Sequence, residues 1–131
     1  MKIDDLSVLI VDDDEFAQDV LREMLATLGI TRIHTAPNGK QALALLASLP
    51  QAPNVLLCDV FMPDMDGIEL MNTLAAQNYA GGVVLFSGVD ADMLQLAQDI
   101  AQAQGLYLLS ALTKPVALPE LVAALAPLTG A

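Results

Sequence analysis

The segment LLCDVFMPDMDG, residues 56–67, decides the fold. It opens with apolar residues suited to a strand that is buried on both faces, as in the middle of a parallel sheet. The apolar run stops at Asp59, and a crowded acidic loop containing Pro63 leads from it to Gly67. The pattern therefore indicates a rigid buried strand that presents one carboxylate at its end and is followed by a sharp turn.

The rest of the chain alternates short apolar segments with segments of helical periodicity. This alternation predicts five strand–helix units joined by right-handed crossovers, and therefore one α/β domain with a parallel sheet over residues 1–131. The second strand is the most polar and fits a sheet edge. The predicted strands are 6–11, 31–36, 54–59, 82–87 and 106–112, and the predicted helices are 15–29, 38–49, 67–77, 90–104 and 118–128.

The composition limits the classes of partner. The chain has 16 acidic and 5 basic residues and a net charge of −11, so its surface should repel nucleic acid phosphates. No apolar segment approaches the roughly 18 residues of a membrane helix. Cys58 is the only cysteine, which suits a reducing compartment. We therefore expect a cytoplasmic protein that binds neither nucleic acid nor a membrane directly.

The spacing of apolar residues predicts the buried face of each helix. In the first helix this face comprises Phe16, Val20, Leu21, Met24, Leu25 and Leu28. In the fifth helix it comprises Leu118, Leu121, Val122 and Leu125. On the fourth helix Leu94 falls off the predicted stripe, which makes it a candidate for a partner-binding surface.

Polar residues stand where the predicted strands end. Asp12 and Asp13 follow the first strand, Asp59 and Ser87 end the third and fourth, and Lys114 follows the fifth. Because parallel strands end at the same rim of a sheet, these groups should lie together. Carboxylates so close repel unless cations lie among them; Lys114 is one, and a hard divalent ion such as Mg²⁺ is another. Each residue alone also fits a simple turn or helix-capping role.

Four segments, VLIVDDDE, LLCDVFMPDMDG, VVLFSG and LTKP, resemble the receiver domain of two-component response regulators in their order and spacing. The resemblance covers almost the whole chain. It implies a flavodoxin-like (βα)5 fold, doubly wound, with a five-stranded parallel sheet in the strand order 2-1-3-4-5. It also implies a phosphorylation-dependent signalling switch that catalyses only its own phosphoryl transfer and dephosphorylation.

The resemblance gives each rim residue a role. Asp59 is the phospho-acceptor, Ser87 bonds the phosphoryl group, and Lys114 pairs with that group. The implied ligands of Mg²⁺ are Asp12, Asp13, Asp59 and the backbone carbonyl of Phe61. Gly88 and Pro115 are implied structural positions, with a cis peptide bond between Lys114 and Pro115.

The same resemblance implies partners. The phosphoryl donor is a histidine kinase or a phosphotransfer protein, and the receiver acts on an output domain or effector that the sequence does not name. A homodimer through the fourth helix, fifth strand and fifth helix is compatible with the family. The segment AQAQGLYLLSALTKP, residues 101–115, resembles receivers that precede a cyclic-di-GMP phosphodiesterase domain.

Two departures from the family pattern bear on signalling. Ala111 occupies a position where receivers commonly carry an aromatic switch residue, so we expect the signal to be relayed without one. The segment from Gly105 to Lys114 is also about two residues longer than the usual pattern. The resemblance also implies that Phe61 and Val89, two residues beyond Asp59 and Ser87, flank the route by which water reaches the phosphoryl group. Both are apolar, which predicts slow self-dephosphorylation.

Two other functions compete with the switch. An aspartate-nucleophile phosphatase would need a second acid two residues after the nucleophile for general acid–base catalysis, and that residue is Phe61. A degenerate receiver that serves only as an interaction module is the other alternative. Ala111 gives it slight support, and the complete set of rim residues argues against it.

Overall fold

One parallel sheet forms the centre of the molecule. The computed structural model describes residues 2–61, 67–88 and 91–129, and five strands of this part join in the order β2-β1-β3-β4-β5. This order confirms the predicted doubly wound fold, with the polar second strand at an edge. The acidic turn around Pro63 and the flanking residue Val89 lie outside the described residues. The strands are β1 (Ser7–Val11), β2 (Arg32–Ala36), β3 (Val55–Asp59), β4 (Gly82–Ser87) and β5 (Tyr107–Thr113).

Helices follow the strands, and two of them begin at side-chain caps. Asp14 accepts a hydrogen bond from the Phe16 N–H at 3.0 Å, and Asn38 accepts one from the Gln41 N–H at 2.8 Å. None of the helices in the described part has the length and apolar character needed to cross a lipid bilayer. The helices are α1 (Glu15–Thr27), α2 (Gly39–Ser48), α3 (Gly67–Ala76), α4 (Ala91–Ala103) and α5 (Leu118–Thr129), each within two residues of its predicted bounds.

The core has two layers because successive residues of a strand point to opposite faces of the sheet. Val8 and Ile10 of β1 pack with apolar residues of α1 and α5. Leu9 and Val11 pack with residues of α2, α3 and α4, and Cys58 lies in this layer as a small buried side chain. Since burial of each large aliphatic side chain contributes about 1.5–3 kcal/mol, the central strands are held firmly in place.

The predicted buried faces of α1 and α5 are partly wrong. Leu21 and Leu25 of α1 face the sheet, but Phe16 is 75% exposed and Val20 is also exposed. Phe16 is five residues from Leu21, about 140° around a helix, and α1 is not covered on that side. On α5, Ala124 is buried with Leu121 and Leu125 whereas Val122 is exposed.

The prediction for Leu94 is also wrong. Leu94 is 6% exposed and belongs to the core layer on the α3 side of the sheet. Helix α4 packs against α3 as well as against β4 and β5, so its buried arc is wider than a single stripe. The exposed large apolar residue of α4 is Leu96.

Strand β5 contains a bulge that sets the position of its end. Val83 is paired with Leu108 and Val84 with Ser110, so Leu109 is an extra residue in the register. This extra residue accounts for part of the unusual length before Lys114. After the bulge the pairing continues to Ser87 and Thr113, which brings the next residue, Lys114, to the rim of the sheet.

Candidate functional site

The rim at the carboxyl ends of the strands holds buried polar side chains. Asp12, Asp59 and Ser87 are 1%, 8% and 3% exposed, and they follow or end β1, β3 and β4. Asp13 stands beside them and is exposed. Lys114 comes directly after β5 and is half-buried. The predicted rim residues are thus brought together at one place.

Lys114 joins the two buried carboxylates. Its Nζ donates hydrogen bonds to Asp12 Oδ2 at 2.8 Å and to Asp59 Oδ2 at 3.1 Å. Its backbone N–H donates to the Ser87 carbonyl at 2.9 Å, so the lysine is fixed to the end of β4 as well. One ammonium group is therefore shared by two carboxylates from strands β1 and β3.

Backbone N–H groups hold the second oxygen of each carboxylate. Asp12 Oδ1 accepts a hydrogen bond from the Asp14 N–H at 2.9 Å, and Asp59 Oδ1 accepts one from the Phe61 N–H at 3.1 Å. Both carboxylates are thus held at both oxygens. Because their orientation is fixed before any ligand arrives, little ordering is needed when a ligand binds.

Asp12, Asp13 and Asp59 form a group that fits a hard divalent cation. Each offers one carboxylate oxygen, and these oxygens lie within 4.8 Å of one another. The set contains oxygen donors without histidine or cysteine, which suits Mg²⁺ better than softer metals. The chemistry of the donors therefore agrees with the metal site predicted from the sequence.

The charges at this site are not balanced. Burial raises the pKa of Asp59 above its ordinary value, and the charge of Asp12 adds to this effect, against the opposing contributions of the Phe61 N–H and Lys114. Burial lowers the pKa of Lys114, but its hydrogen bonds and the charges of Asp12 and Asp59 together outweigh burial and raise it. Lys114 therefore stays protonated. Further positive charge would stabilise the ionised form of Asp59.

Gln18 also contacts the site, and the sequence does not predict this contact. Its Nε2 donates a hydrogen bond of 2.6 Å to the Asp12 backbone carbonyl, and this ties α1 to the end of β1. A glutamine on the first helix carries no sequence signal for such a contact, because it fits an ordinary solvated helix position equally well. The bond helps to fix the peptide that joins Asp12 to Asp13.

The remaining predicted residues lie close to the rim. Phe61 is 68% exposed, and Gly88 follows Ser87 and is exposed. An added Cβ at Gly88 would meet no atom within 4 Å, so a small side chain would fit there. The peptide bond between Lys114 and Pro115 is cis, as the resemblance implies.

Comparison with known proteins identifies the family. The family model described as the response regulator receiver domain matches residues 8–126. The chain belongs to the response regulator receiver domain family. Receiver domains are regulatory parts of two-component systems, so the fold and the acidic rim agree with a phosphorylation-controlled signalling module.

Individual relatives support this assignment. A protein-glutamate methylesterase/protein-glutamine glutaminase of Myxococcus xanthus is 36% identical over 86% of this chain and 31% of its own length. The cyclic di-GMP phosphodiesterase RocR of Pseudomonas aeruginosa is 30% identical over 94% of this chain and 31% of its own length. The chain thus spans about a third of the length of these two relatives, and the similarity concerns that part alone.

Solved structures show the same fold. A response regulator from Colwellia psychrerythraea has a TM-score of 0.78 and 28% identity, and the match covers 95% of this chain and 97% of that one. The receiver domain of an HD domain-containing protein from Pseudomonas fluorescens has a TM-score of 0.79 and 28% identity, covering 93% and 92%.

Proposed function

We propose that Asp59 accepts a phosphoryl group with Mg²⁺ present and that this modification switches the receiver between two signalling states. The observation that carries the proposal is the Lys114 ammonium group, which bridges Asp12 and Asp59 at 2.8 and 3.1 Å. A buried pair of carboxylates around one lysine has little structural purpose in a sheet that is already well packed. If a divalent cation offsets the excess negative charge, Asp59 is available as a nucleophile and Lys114 supplies positive charge to an incoming phosphoryl group.

The chemistry follows from these positions. An Asp59 oxygen attacks the phosphorus of the donor in line, the bond from phosphorus to the donor's leaving atom breaks, and its electron pair leaves with the donor. When bound to Asp12, Asp13, Asp59 and the Phe61 carbonyl, Mg²⁺ would supply positive charge that offsets the phosphoryl oxygens. Lys114 supplies the remaining fixed positive charge.

The product changes the charge at a rigid point. A phosphoryl group adds about −1.5 to −2 charge where one carboxylate stood. Lys114 and Ser87 lie at the ends of β5 and β4, and both have groups that are attracted to this added charge. Their shift alters the ends of the strands against which α4 packs, so a local electrostatic change reaches the α4 and β5 surface. Ala111 on β5 is half-buried in the core layer, so this relay proceeds without an aromatic switch at that position.

Acetyl phosphate tests the proposal directly. The protein is incubated with acetyl phosphate and Mg²⁺, and its intact mass is measured for wild type, Asp59→Asn and the matched surface control Asp99→Asn. We expect one phosphoryl adduct in wild type and in Asp99→Asn, and none in Asp59→Asn. Absence of an adduct in wild type would favour the interaction module, and rapid turnover of many phosphomonoesters would favour the phosphatase.

We propose that the phosphoryl donor is a histidine kinase or phosphotransfer protein and that it contacts α1. A cavity of about 360 Å³ lies beside the rim, lined by Phe16, Val20 and Met24 of α1 and by Lys114 and Pro115. The cavity shares Lys114 with the acidic site, so a protein that presents a phosphohistidine to Asp59 would reach it. Exposed aromatic residues are effective anchors in such interfaces.

Two donors of different size test this contact. Phe16→Ala should slow transfer from a phosphorylated donor protein and leave the rate with acetyl phosphate unchanged, because the small donor does not use the surface. Val122→Ala, which truncates an exposed residue on α5, is the matched control. Equal rates for Phe16→Ala and wild type with the protein donor would rule out Phe16 as an anchor.

We further propose that the output partner, or a second copy of the receiver, uses the face formed by α4, β5 and α5. Leu96 is 48% exposed on α4, and Val122 is exposed on α5. Leu96 replaces Leu94 as the residue to test, because Leu94 is buried. Leu96→Lys should weaken self-association of the phosphorylated protein in analytical ultracentrifugation; unchanged association would remove Leu96 from this face.

A further inference from the structure

A second cavity lies at the end of the sheet opposite to the acidic rim. It has a volume of about 790 Å³, within the roughly 300–1,000 Å³ range that is usual for small-molecule sites. It is formed where β1 and β2 begin and where the chain passes from α2 to β3. Its lining includes Ser7, Arg32, His34, Pro50, Gln51 and Asn54.

Arg32 and His34 contribute neighbouring basic groups to this cavity. They are two residues apart on β2, so their side chains lie on the same face of the sheet. Arg32 is paired in register with Ser7 and His34 with Leu9, which places the Ser7 side chain on that face too. Within residues 2–61, 67–88 and 91–129, neither Arg32 nor His34 forms an ion pair.

This arrangement is unusual for the composition of the chain. The sequence has 5 lysine and arginine residues, 16 acidic residues and 1 histidine. Even so, Arg32 and His34 lie at one cavity, and no carboxylate of the described residues forms an ion pair with either of them. The lining contains one acidic residue, Asp5, which accepts a hydrogen bond from the Lys2 N–H at 3.1 Å.

Two neutral polar side chains of the cavity supply further donors. Asn54 Oδ1 accepts a hydrogen bond from the Ser7 N–H at 2.7 Å, which fixes the amide and leaves its NH₂ group to donate. The Ser7 hydroxyl and the Arg32 guanidinium add further donors. Together with Arg32, which forms no ion pair in the described part of the chain, these donors complement a ligand with several acceptor oxygens.

We propose that this cavity binds a small oxyanion, the carboxylate or phosphate group of a small molecule, with Arg32 as its principal ligand. The planar guanidinium of Arg32 matches two oxygens of such a group, and His34 and the Asn54 amide contact the remaining ones. Pro50 and Leu49 provide an apolar wall for the rest of the molecule. The site lies at the amino ends of the strands, so it does not compete with phosphorylation of Asp59.

The single histidine gives an unambiguous measurement. The ring proton and carbon signals of His34 are followed by NMR while sodium phosphate or sodium acetate is added at constant pH, with sodium chloride keeping the ionic strength fixed. We expect a saturable shift with at least one of the two anions, and the tighter anion identifies the preferred group. A shift that stays linear, or no shift, with both anions would overturn the proposal.

Substitutions of Arg32 and Arg22 distinguish anion binding at the cavity from a general effect of net charge. Arg32→Gln should weaken the apparent affinity at least about tenfold, whereas Arg32→Lys should retain part of it. Arg22→Gln removes the same charge from α1, where Arg22 donates to Thr35 Oγ1 at 3.4 Å beside β2, and it should leave the affinity unchanged. Equal losses in Arg32→Gln and Arg22→Gln would overturn the proposal. The Asp59→Asn variant should bind as wild type does, which keeps this site distinct from the acidic rim.

Discussion

The buried carboxylate of Asp59, the proposed phospho-acceptor, weakens the fold when it is ionised. Its burial raises the pKa of the carboxyl group, and the neighbouring charge of Asp12 acts in the same direction. A folded-state pKa above the unfolded value means that the folded state binds the proton more tightly. The stabilisation from protonated Asp59 is therefore present at low pH and is lost as the pH rises through the folded-state pKa. At neutral pH without a divalent cation, the ionised side chain weakens the fold.

Replacing Asp59 should therefore stabilise the metal-free protein. We expect Asp59→Asn to raise the free energy of unfolding at pH 7 by about 0.5–2 kcal/mol, because the neutral amide removes an unfavourable buried charge. The difference from wild type should shrink as the pH falls towards the ordinary carboxyl value of 3.8. Urea unfolding in the presence of a chelator measures both quantities. The control Asp19→Asn changes an exposed charge on α1, and a lower stability for Asp59→Asn than for wild type would contradict the argument.

Phe61 should control the lifetime of the phosphorylated state. Its N–H donates a hydrogen bond to Asp59 Oδ1, and its side chain is an exposed apolar group close to this proposed acceptor. Phe61→Asn replaces it with a smaller polar group that can hold a water molecule near the phosphoryl group, so the half-life should shorten several-fold. The decay of the phosphorylated form is followed by intact mass, with Phe16→Ala as the control for the other exposed phenylalanine. An unchanged half-life would remove Phe61 as a barrier to water.

At the scale of elements, Gly67 determines how closely α3 begins to the end of β3. The Gly67 N–H donates to the Val60 carbonyl at 2.9 Å, so the helix begins directly against the residue that follows the strand. A Cβ at Gly67 would lie 2.7 Å from the Val60 Cα, a backbone atom that cannot move aside easily. The glycine therefore allows α3 to begin close to the rim while β3 stays buried.

Two glycine variants test this packing. Gly67→Ala should lower the free energy of unfolding by about 1–3 kcal/mol, because the added methyl group forces the helix away from Val60. Gly88→Ala is the matched control and should change stability by less than about 0.5 kcal/mol, since its Cβ would enter open space. Urea unfolding compares the two variants. Equal stability of Gly67→Ala and wild type would show that the start of α3 can move away from Val60 without a loss of folding free energy.

The strands and helices also show which structural features the sequence patterns predict correctly. Strand β4 is predicted at its observed bounds, because an apolar run buried on both faces has a clear start and end. The exposure of Phe16 and the burial of Leu94 are mispredicted, because periodicity does not reveal how many neighbours a helix has. Helix α1 is open beside Lys114, whereas α4 is covered by α3 as well as by the sheet.

The acidic site was likewise predictable from sequence only in part. Asp12, Asp59, Ser87 and Lys114 could be placed together from sequence because parallel strands bring their carboxyl ends to one rim. Gln18 could not, since its bond to the Asp12 carbonyl depends on the position of α1 relative to the sheet. Hydrogen bonds between elements require packing that periodicity alone does not fix.

At the scale of the whole molecule, the net charge of −11 complicates any measurement of cation binding. Mutual repulsion of surface carboxylates weakens the folded state, and any dissolved salt screens this repulsion. Magnesium should therefore stabilise the protein in two ways, by screening and by binding at the acidic rim. The two contributions differ in form, because screening varies gradually with ionic strength whereas binding at a site saturates.

Magnesium titration of the unfolding free energy should resolve the site-specific part. Against sodium chloride of equal ionic strength, Mg²⁺ should add stability that reaches about 2.7 kcal/mol at a concentration one hundred times its dissociation constant. Asp13→Asn should abolish this additional stability, because it removes one of three carboxylates whose oxygens lie within 4.8 Å of one another. Asp19→Asn lowers the net negative charge equally on exposed α1 and should keep the full Mg²⁺ effect. If Asp13→Asn keeps the full additional Mg²⁺ effect, as Asp19→Asn should, the stabilisation does not arise at the rim, and the carboxylates there do not form the metal site.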